Sequence, residues 1–461
     1  MISSYKRLDI SILFIEKGLS LINKDGVMSY ITSNQFFKAE YGRKIREIIK
    51  NKLRRNLDFS KVSVFEGLST YVSILDFSKT NISQLEYYKI LNNASELSNL
   101  NWNTFSYNDF SDDSWEFGTN NKLKDKLFKG SQLLDELVSF TYGIITGNDN
   151  SFIINKKEID DNNIEKSIIY PFVKPENYKR YNLADITKYI IYPYDDQSKI
   201  INEEKLKLEY PNAYSYLLKN KEILENRKDS RTTIKEKGVE WYSIMRRVST
   251  QEIKKNKIIF FDVGSSPNFS LDNKNLSFGG GTSHSLYLNC ESDINLKYIL
   301  GILNSRLMLW LIREICPVKM GDARKYGLSY MRRLPIKTSN NQFQLKLIDE
   351  VDKIISLNKE LQEISIKFQR TLLRKFEFDK LSNKLQDWYL LSFDDFIKEL
   401  NKKKIKLSLS EESEWEEFFN KESMKALEIL NSINEVDKEI DKMVYDLYGL
   451  TKEGIEIIEN S

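Results

Sequence analysis

Asp9–Asn23 (DISILFIEKGLSLIN) carries Ile12, Phe14, Ile15, Leu19 and Ile22 at three- and four-residue intervals. That spacing predicts a helix with one apolar face. Lys24-Asp25-Gly26 supplies its stop, and Val27–Thr32 follows as a short apolar strand. Tyr41–Asn51 predicts a second helix with Ile45, Ile48 and Ile49 inward. Leu57–Val64 and Thr70–Phe77 predict two more strands, joined by the turn Phe65–Ser69. The order helix, strand, helix, strand, strand fits the last part of a doubly wound α/β sheet that ends in an antiparallel hairpin. Three strands leave an open apolar edge, and no glycine turn of the cofactor-binding kind precedes them. Residues 1–80 are therefore expected to be a partial sheet, completed by a missing N-terminal part or a partner chain.

Residues 81–130 are rich in Asn, Ser and Asp, with Trp102, Trp115 and Phe117 isolated among them, and predict a connector. Residues 131–338 predict an α+β domain. Short β-like runs recur at Phe152–Ile154, Lys188–Tyr192, Lys257–Val263 and His284–Leu288, with helices at Tyr210–Glu225 and Leu296–Ile315. Residues 339–461 predict a helical bundle or hairpin. Leu345, Ile348, Val351, Ile354, Ile355, Leu357, Leu361 and Ile364 form its first stripe. From Leu407 onward the chain holds fifteen Asp and Glu against five Lys, a poor match to a phosphate backbone. The fold class is thus α/β plus α+β with a helical C-terminal region.

Composition narrows the chemistry. Lys and Arg number 70 against 67 Asp and Glu, so any nucleic-acid face is a local patch. Cys290 and Cys316 are the only cysteines and His284 the only histidine, which argues against disulfide frameworks, resident metal sites and His-dependent triads. No apolar run reaches the length of a membrane span, and the expected location is the cytoplasm.

The charge patch lies at Arg306–Lys337, where eight Lys and Arg face two acids. Within it Arg324, Lys325, Arg332 and Arg333 are candidates for DNA contact, since arginine makes bidentate bonds to guanine and phosphate. Arg246 and Arg247, after Trp241-Tyr242, are a smaller case. The loop YGIITGNDNSF offers Thr146, Asn148 and Asn150 to base edges or phosphates. Gly279-Gly280-Gly281, with His284 just beyond, reads as a tight loop facing DNA; a strand follows it, where a nucleotide loop would have a helix. Lys38, Tyr41 and Arg43 open the second helix, where phosphate or a cofactor rim could lie.

The segments DISILFIEKGLSLINKDGVMSYITSNQFFKAEYGRKIRE, VSVFEGLSTYVSILDFSK, YGIITGNDNSFIINK, KKNKIIFFDVGSSPNFSLD, LKYILGILNSRLMLWLI and YMRRLPI, in this order, resemble the adenine-N6 DNA methyltransferases of restriction–modification systems. The resemblance is to the gamma-class, restriction-fused type with a TaqI-like specificity domain. It implies the end of a Rossmann-like methyltransferase sheet in residues 1–80 and a target-recognition domain in 131–338. It implies that Phe65 stacks on an adenine flipped out of the duplex. The tetrapeptide Asn/Asp-Pro-Pro-Tyr/Phe, which localises the amine lone pair, does not occur in the chain, nor does a glycine-bearing S-adenosylmethionine loop. S-adenosylmethionine is therefore expected only with a catalytic methyltransferase half, and double-stranded DNA is the expected partner. The alternative is a stand-alone DNA-binding or scaffold subunit of a phage-defence complex.

Overall fold

A computed structural model describes residues 9–460 other than 61, 63, 66–71, 91–96, 98–99, 111–114, 116, 118–120, 175–177, 184–185, 230, 280–282, 290–293 and 321–322. The turn residues Glu66–Ser69 and the glycine-run residues Gly280 and Gly281 lie outside this set. The chain divides into two compact units, Met1–Lys122 and Leu123–Ser461.

In the first unit, α1 (Ser11–Leu21) buries Ile12, Ile15 and Leu19. Asp9 Oδ1 accepts the Ser11 amide at 2.9 Å and stands at its start. Next come β1 (Val27–Ser33), α2 (Arg43–Ile49), β2 (Leu53–Asp58) and β3 (Val72–Ser78). The segment expected to be a connector supplies β4 (Gln84–Lys89) and β5 (Asn103–Ser106), and the sheet order is β1-β3-β2-β4-β5. β2 and β3 form the expected antiparallel pair; β4 joins β2 in parallel. Of the isolated aromatics of the polar segment, Trp115 is buried, and Trp102 and Phe117 are partly buried against apolar clusters. Trp115 stacks on Phe37 with ring centroids 5.9 Å apart, and Phe117 meets the same ring edge-on at 4.8 Å. β2 starts four residues earlier than expected and stops at Asp58. There the Asp58 carboxylate accepts the Ser60 amide at 2.8 Å, a turn that competes with continued strand pairing. β1 remains an edge strand.

The second unit holds three larger sheets. β6 (Val138–Tyr142), β7 (Ile153–Asn155), β8 (Ile169–Val173), β9 (Lys188–Ile191), β10 (Lys257–Phe261), β11 (Val263–Gly264), β12 (Ser270–Asp272), β13 (Ser277–Phe278) and β14 (Ser283–Leu288) precede two helices. These are α3 (Leu296–Asn304) and α4 (Arg306–Ile315); β15 (Val318–Met320) and β16 (Ala323–Lys325) follow. The sheet orders are β13-β8-β9-β7, β12-β10-β14-β6 and β11-β16-β15. The run expected as one helix breaks at Ser305, whose hydroxyl accepts the Met308 amide at 3.2 Å and starts α4 afresh. Lys257 and Asp272 form a fully buried ion pair at 2.6 Å between β10 and β12. Asp272 also accepts the amides of Lys274 and Leu276, which gives its carboxylate the bonds a buried charge requires.

Two long helices complete the unit, α5 (Asn341–Lys375) and α6 (Leu409–Tyr448). The buried stripe of α5 is Leu347, Val351, Ile354, Leu361, Phe368 and Leu372; Leu345 is outside it and 60% exposed. α6 starts on a capping box between Ser408 and Glu411 and ends at Gly449 in the left-handed region. The helical region is not a detached tail. Val351 and Ile354 of α5 and Val436, Ile440 and Val444 of α6 share one core with α3, α4, β10 and β14.

Arg180 clasps Asp437 of α6 with two bonds of 2.6 and 2.5 Å. Next to it, buried Asp441 accepts the Arg306 amide at 2.7 Å. Burial pushes the Asp441 carboxyl up to about 6, against the pull of the Arg306 amide. The fold therefore holds the Asp441 proton more tightly than the unfolded chain does, and stability falls as pH rises from about 4 to about 6. Asp441→Asn keeps an oxygen for the Arg306 amide and removes the charge. It is expected to abolish that fall and to stabilise the protein above pH 6 by about 1–3 kcal/mol, measured by urea unfolding at pH 4.5 and 7.5.

Candidate nucleic-acid interface

β6 alternates Val138, Phe140 and Tyr142 with Ser139 and Thr141, and the chain then turns through Gly143 into the loop 143–148. Tyr142 is 61% exposed, a large ring left in solvent at a strand end. β14 starts beside it, with His284 opposite Tyr142 in register. The two rings meet edge-to-face at 5.1 Å. His284 is buried, and its Nε2 lies 3.2 Å from Asp262 Oδ1. Lys325 Nζ lies 3.2 Å from the other carboxylate oxygen. Burial alone would raise the Asp262 carboxyl; the imidazole and the Lys325 ammonium outweigh it and hold the group below the usual carboxylate range. The pairing of β11 with β16, Val263 on Lys325 and Gly264 on Arg324, brings the basic segment to this sheet end. The buried carboxylate thus fixes one half-exposed lysine beside one exposed tyrosine. Such an arrangement presents a flat ring and a cation to a polyanion.

The 143–148 loop is held from behind. Ile145 pairs with Arg246, and Ile144 with Gly279. Gly147 has φ +77°, and a Cβ there would lie 2.1 Å from Met245 Sδ, so only glycine fits. Arg227, buried, donates to the carbonyls of Thr146, Leu224, Trp241 and Ser243. Among the described residues no carboxylate pairs with it, and burial pulls the guanidinium down to about 10. Arg227→Met strands four carbonyls. The expected loss is about 2–4 kcal/mol in thermal unfolding, with hydrogen exchange accelerated first in residues 142–150.

Residues 2–65 match the Eco57I restriction-modification methylase family, and residues 170–336 the TaqI-like C-terminal specificity domain. Residues 340–444 match a domain of unknown function, DUF8810. The chain is 24% identical over 370 residues to the type II restriction enzyme and methyltransferase RM.Eco57I of Escherichia coli, covering 73% of this chain and 37% of that protein. It is 21% identical over 413 residues to the type II methyltransferase M.BstVI of Geobacillus stearothermophilus, covering 83% of this chain and 70% of that protein. The chain is homologous to type II restriction–modification methyltransferases. It spans well under half the length of the first of these relatives. Its fold also aligns with that of the type IIL restriction-modification enzyme MmeI, solved in complex with DNA. The TM-score is 0.54 at 13% identity, over 98% of this chain and 52% of that one.

In this restriction–modification homologue the sequence-derived candidates separate into groups. His284, Lys325 and Arg324 come together at the sheet end, and Arg246 is tied to the adjoining loop. Arg246, Asn150 and Arg333 are exposed. Thr146 is buried and its hydroxyl donates to Asp149 at 2.7 Å; Asn148 accepts the Ser151 amide at 3.1 Å. These two side chains build the loop rather than offer themselves to a ligand. Arg324 donates to the Cys316 carbonyl at 3.1 Å. Arg247 lies over the Tyr194 ring at 5.3 Å and donates to the Ser198 carbonyl, so it serves as a brace. Arg332 covers the Phe140 ring at 5.6 Å and lies 3.7 Å from Asp135. Lys38, Tyr41, Arg43 and Phe65 belong to the first unit. Burial pushes the half-buried Tyr41 phenol up to about 12, and Arg43 reaches Glu47 at 3.8 Å. Phe65 is 42% exposed after the end of β2. Tyr142, Asp262 and Arg227 escaped the sequence reading. Tyr142 precedes Gly143 at a strand end, which was its available signal, and Asp262 is the one charge just after the apolar run of β10; Arg227 had none, because its four partners are backbone atoms.

Proposed function

We propose that this chain is the DNA-recognition part of a site-specific adenine-N6 DNA methyltransferase or restriction–modification enzyme. The observation that carries this reading is the convergence of Tyr142, His284, Asp262 and Lys325 at one sheet end, the last three within the TaqI-like match. Exposed Arg246 and Arg333 and the Tyr142 ring contact the duplex, phosphates first and base edges second. The scaffold-subunit alternative has no such observation behind it. The test is fluorescence anisotropy with duplexes tiled over random sequence, followed by competition. Salt-dependent binding with a preferred sequence is expected; binding without any preference would remove the recognition role.

In this reading the first unit is the end of a Rossmann-like methyltransferase sheet. Support comes from its bare side. Ile10, Phe14 and Leu21 of the α1 region are 66%, 60% and 69% exposed, and Val27 and Ile31 of edge strand β1 are 54% and 50% exposed. A catalytic half, on another chain or on more of this one, covers that face and pairs with β1. S-adenosylmethionine does not fit the described residues by themselves. At the end of β2, where such sheets open to ligands, the Asp58 carboxylate is taken by Asn34 Nδ2, the Ser60 amide and the Tyr87 hydroxyl. The cofactor and the amine-activating tetrapeptide belong to the catalytic half. Phe65 stacks on the flipped adenine. Phe65→Ala in the complex restored with that half is expected to lower methylation about ten- to hundredfold while duplex affinity stays within about twofold. A parallel fall in affinity and thermal stability would make Phe65 a packing residue.

A further inference from the structure

Away from Tyr142 and His284, the second unit has a groove of about 820 Å³ between the β12–β13 turn, the Tyr181–Leu183 turn and the C-terminal half of α5. Asn182 Nδ2 donates to Gln362 Oε1 at 2.8 Å and ties the two walls together. Five cations line it: Lys274 from the turn, and Lys359, Lys367, Arg370 and Arg374 from α5. Two carboxylates lie among them. Asp272 is consumed by buried Lys257, and Glu363 faces Lys359 at 3.8 Å.

The remaining four cations have no acidic partner among the described residues, and all four are exposed. The contrast lies within one helix. Nearer the start of α5, Lys353 meets Glu350, and Asp352 meets Lys297. Toward its end, Lys367, Arg370 and Arg374 follow at i, i+3 and i+7, one face of a helix, without compensation. The stripe gathers three exposed like charges on one helix face, a repulsion that solvent and salt screen only in part and that a bound anion would relieve.

We infer that the groove is a second DNA-contact site, which takes the sugar–phosphate backbone of one strand of duplex DNA without reading its sequence. From Lys367 to Arg374 the helix rises about 10 Å. One strand presents a phosphate roughly every 3.4 Å of duplex axis, so the stripe matches about three phosphates, and Lys274 on the opposite wall adds a fourth. Arginine and lysine with a glutamine and an asparagine between them are a donor set for phosphate oxygens. The site places DNA contact in the DUF8810 region, which sequence reading assigned to no ligand. This inference rests on the DNA-recognition reading above.

The experiment uses the full chain and a fluorescein-labelled 30-base-pair duplex, with affinity measured from 50 to 300 mM NaCl. The groove variant is Lys274→Gln, Lys367→Gln, Arg370→Gln and Arg374→Gln together. All four side chains are exposed, and circular dichroism and thermal unfolding verify the fold. The groove variant is expected to bind about 100-fold or more weakly at 150 mM salt. The slope of log K against log salt should lessen by about 3–4, with the sequence preference unchanged. Arg370→Glu alone should weaken binding more than Arg370→Gln. An unchanged slope, with the wild-type chain binding DNA, overturns the groove and leaves the recognition reading standing. Loss of sequence preference rather than of slope also overturns it. If groove substitutions abolish binding to phosphatidylserine vesicles but spare DNA, the occupant is a membrane and the inference falls. Absence of DNA binding by the wild-type chain overturns both readings.

Discussion

Truncation before Leu407 is expected to unfold the second unit rather than trim it. In sequence the acidic segment is a helical stretch poorly matched to a phosphate backbone, and its charge invites deletion. In the fold, α6 lays Val436, Ile440, Val444, Tyr445 and Tyr448 into the core that also holds α3, α4, β10 and β14. The Tyr448 hydroxyl donates to the Pro335 carbonyl at 2.7 Å and accepts the Lys337 amide at 3.1 Å, which pins the end of the basic segment. Each apolar side chain of that size contributes about 1.5–3 kcal/mol on burial, so five amount to roughly 8–15 kcal/mol. That matches the whole stability of an ordinary domain, about 5–15 kcal/mol. The truncated chain should lack a cooperative thermal transition and should bind dye that reports exposed apolar surface. A truncated chain that melts cooperatively near the full-length temperature would show that α6 only decorates the domain.

Removing four exposed cations of the second unit is the second large effect. Arg246→Ala, Lys325→Ala, Arg332→Ala and Arg333→Ala combined should lessen the salt slope by up to about 3–4 and weaken binding by roughly 100- to 1,000-fold at physiological salt. Arg324→Ala should change the slope by less than one, because that guanidinium is spent on the Cys316 carbonyl. Lys325 deserves a separate comparison with Asp262→Asn. Loss of the carboxylate frees the ammonium from its 3.2 Å contact but also removes the anchor of His284. Affinity should fall with either change, and sequence preference should fall further with Asp262→Asn, since Tyr142 and Lys325 lose a common reference. If all four cations can be removed with the slope intact, the DNA face lies elsewhere on the chain.

Local patterns carried much of the architecture. The runs Lys188–Tyr192, Lys257–Val263 and His284–Leu288 alternate or cluster apolar residues densely enough to be strands in isolation, and each contains one. α5 and α6 repeat their apolar positions over many turns, so their existence was legible, though α5 is rotated enough to leave Leu345 in solvent. The ordered motifs pointed to restriction–modification methyltransferases because the relevant residues are contiguous in the chain. Tertiary structure decided what depends on distant partners. β4 and β5 are too polar to announce themselves and are strands because β2 offers an unpaired edge and Phe37 offers rings for Trp115 and Phe117. Thr146 and Asn148 look like ligands in sequence and become loop supports once Asp149 and Ser151 turn back on them. Arg227 looks like one more surface cation and becomes buried because four carbonyls from separate segments converge on it. A hydrogen bond to a backbone carbonyl leaves no mark on the identity of the residue that accepts it, so no pattern of side chains could have foretold where that arginine would go.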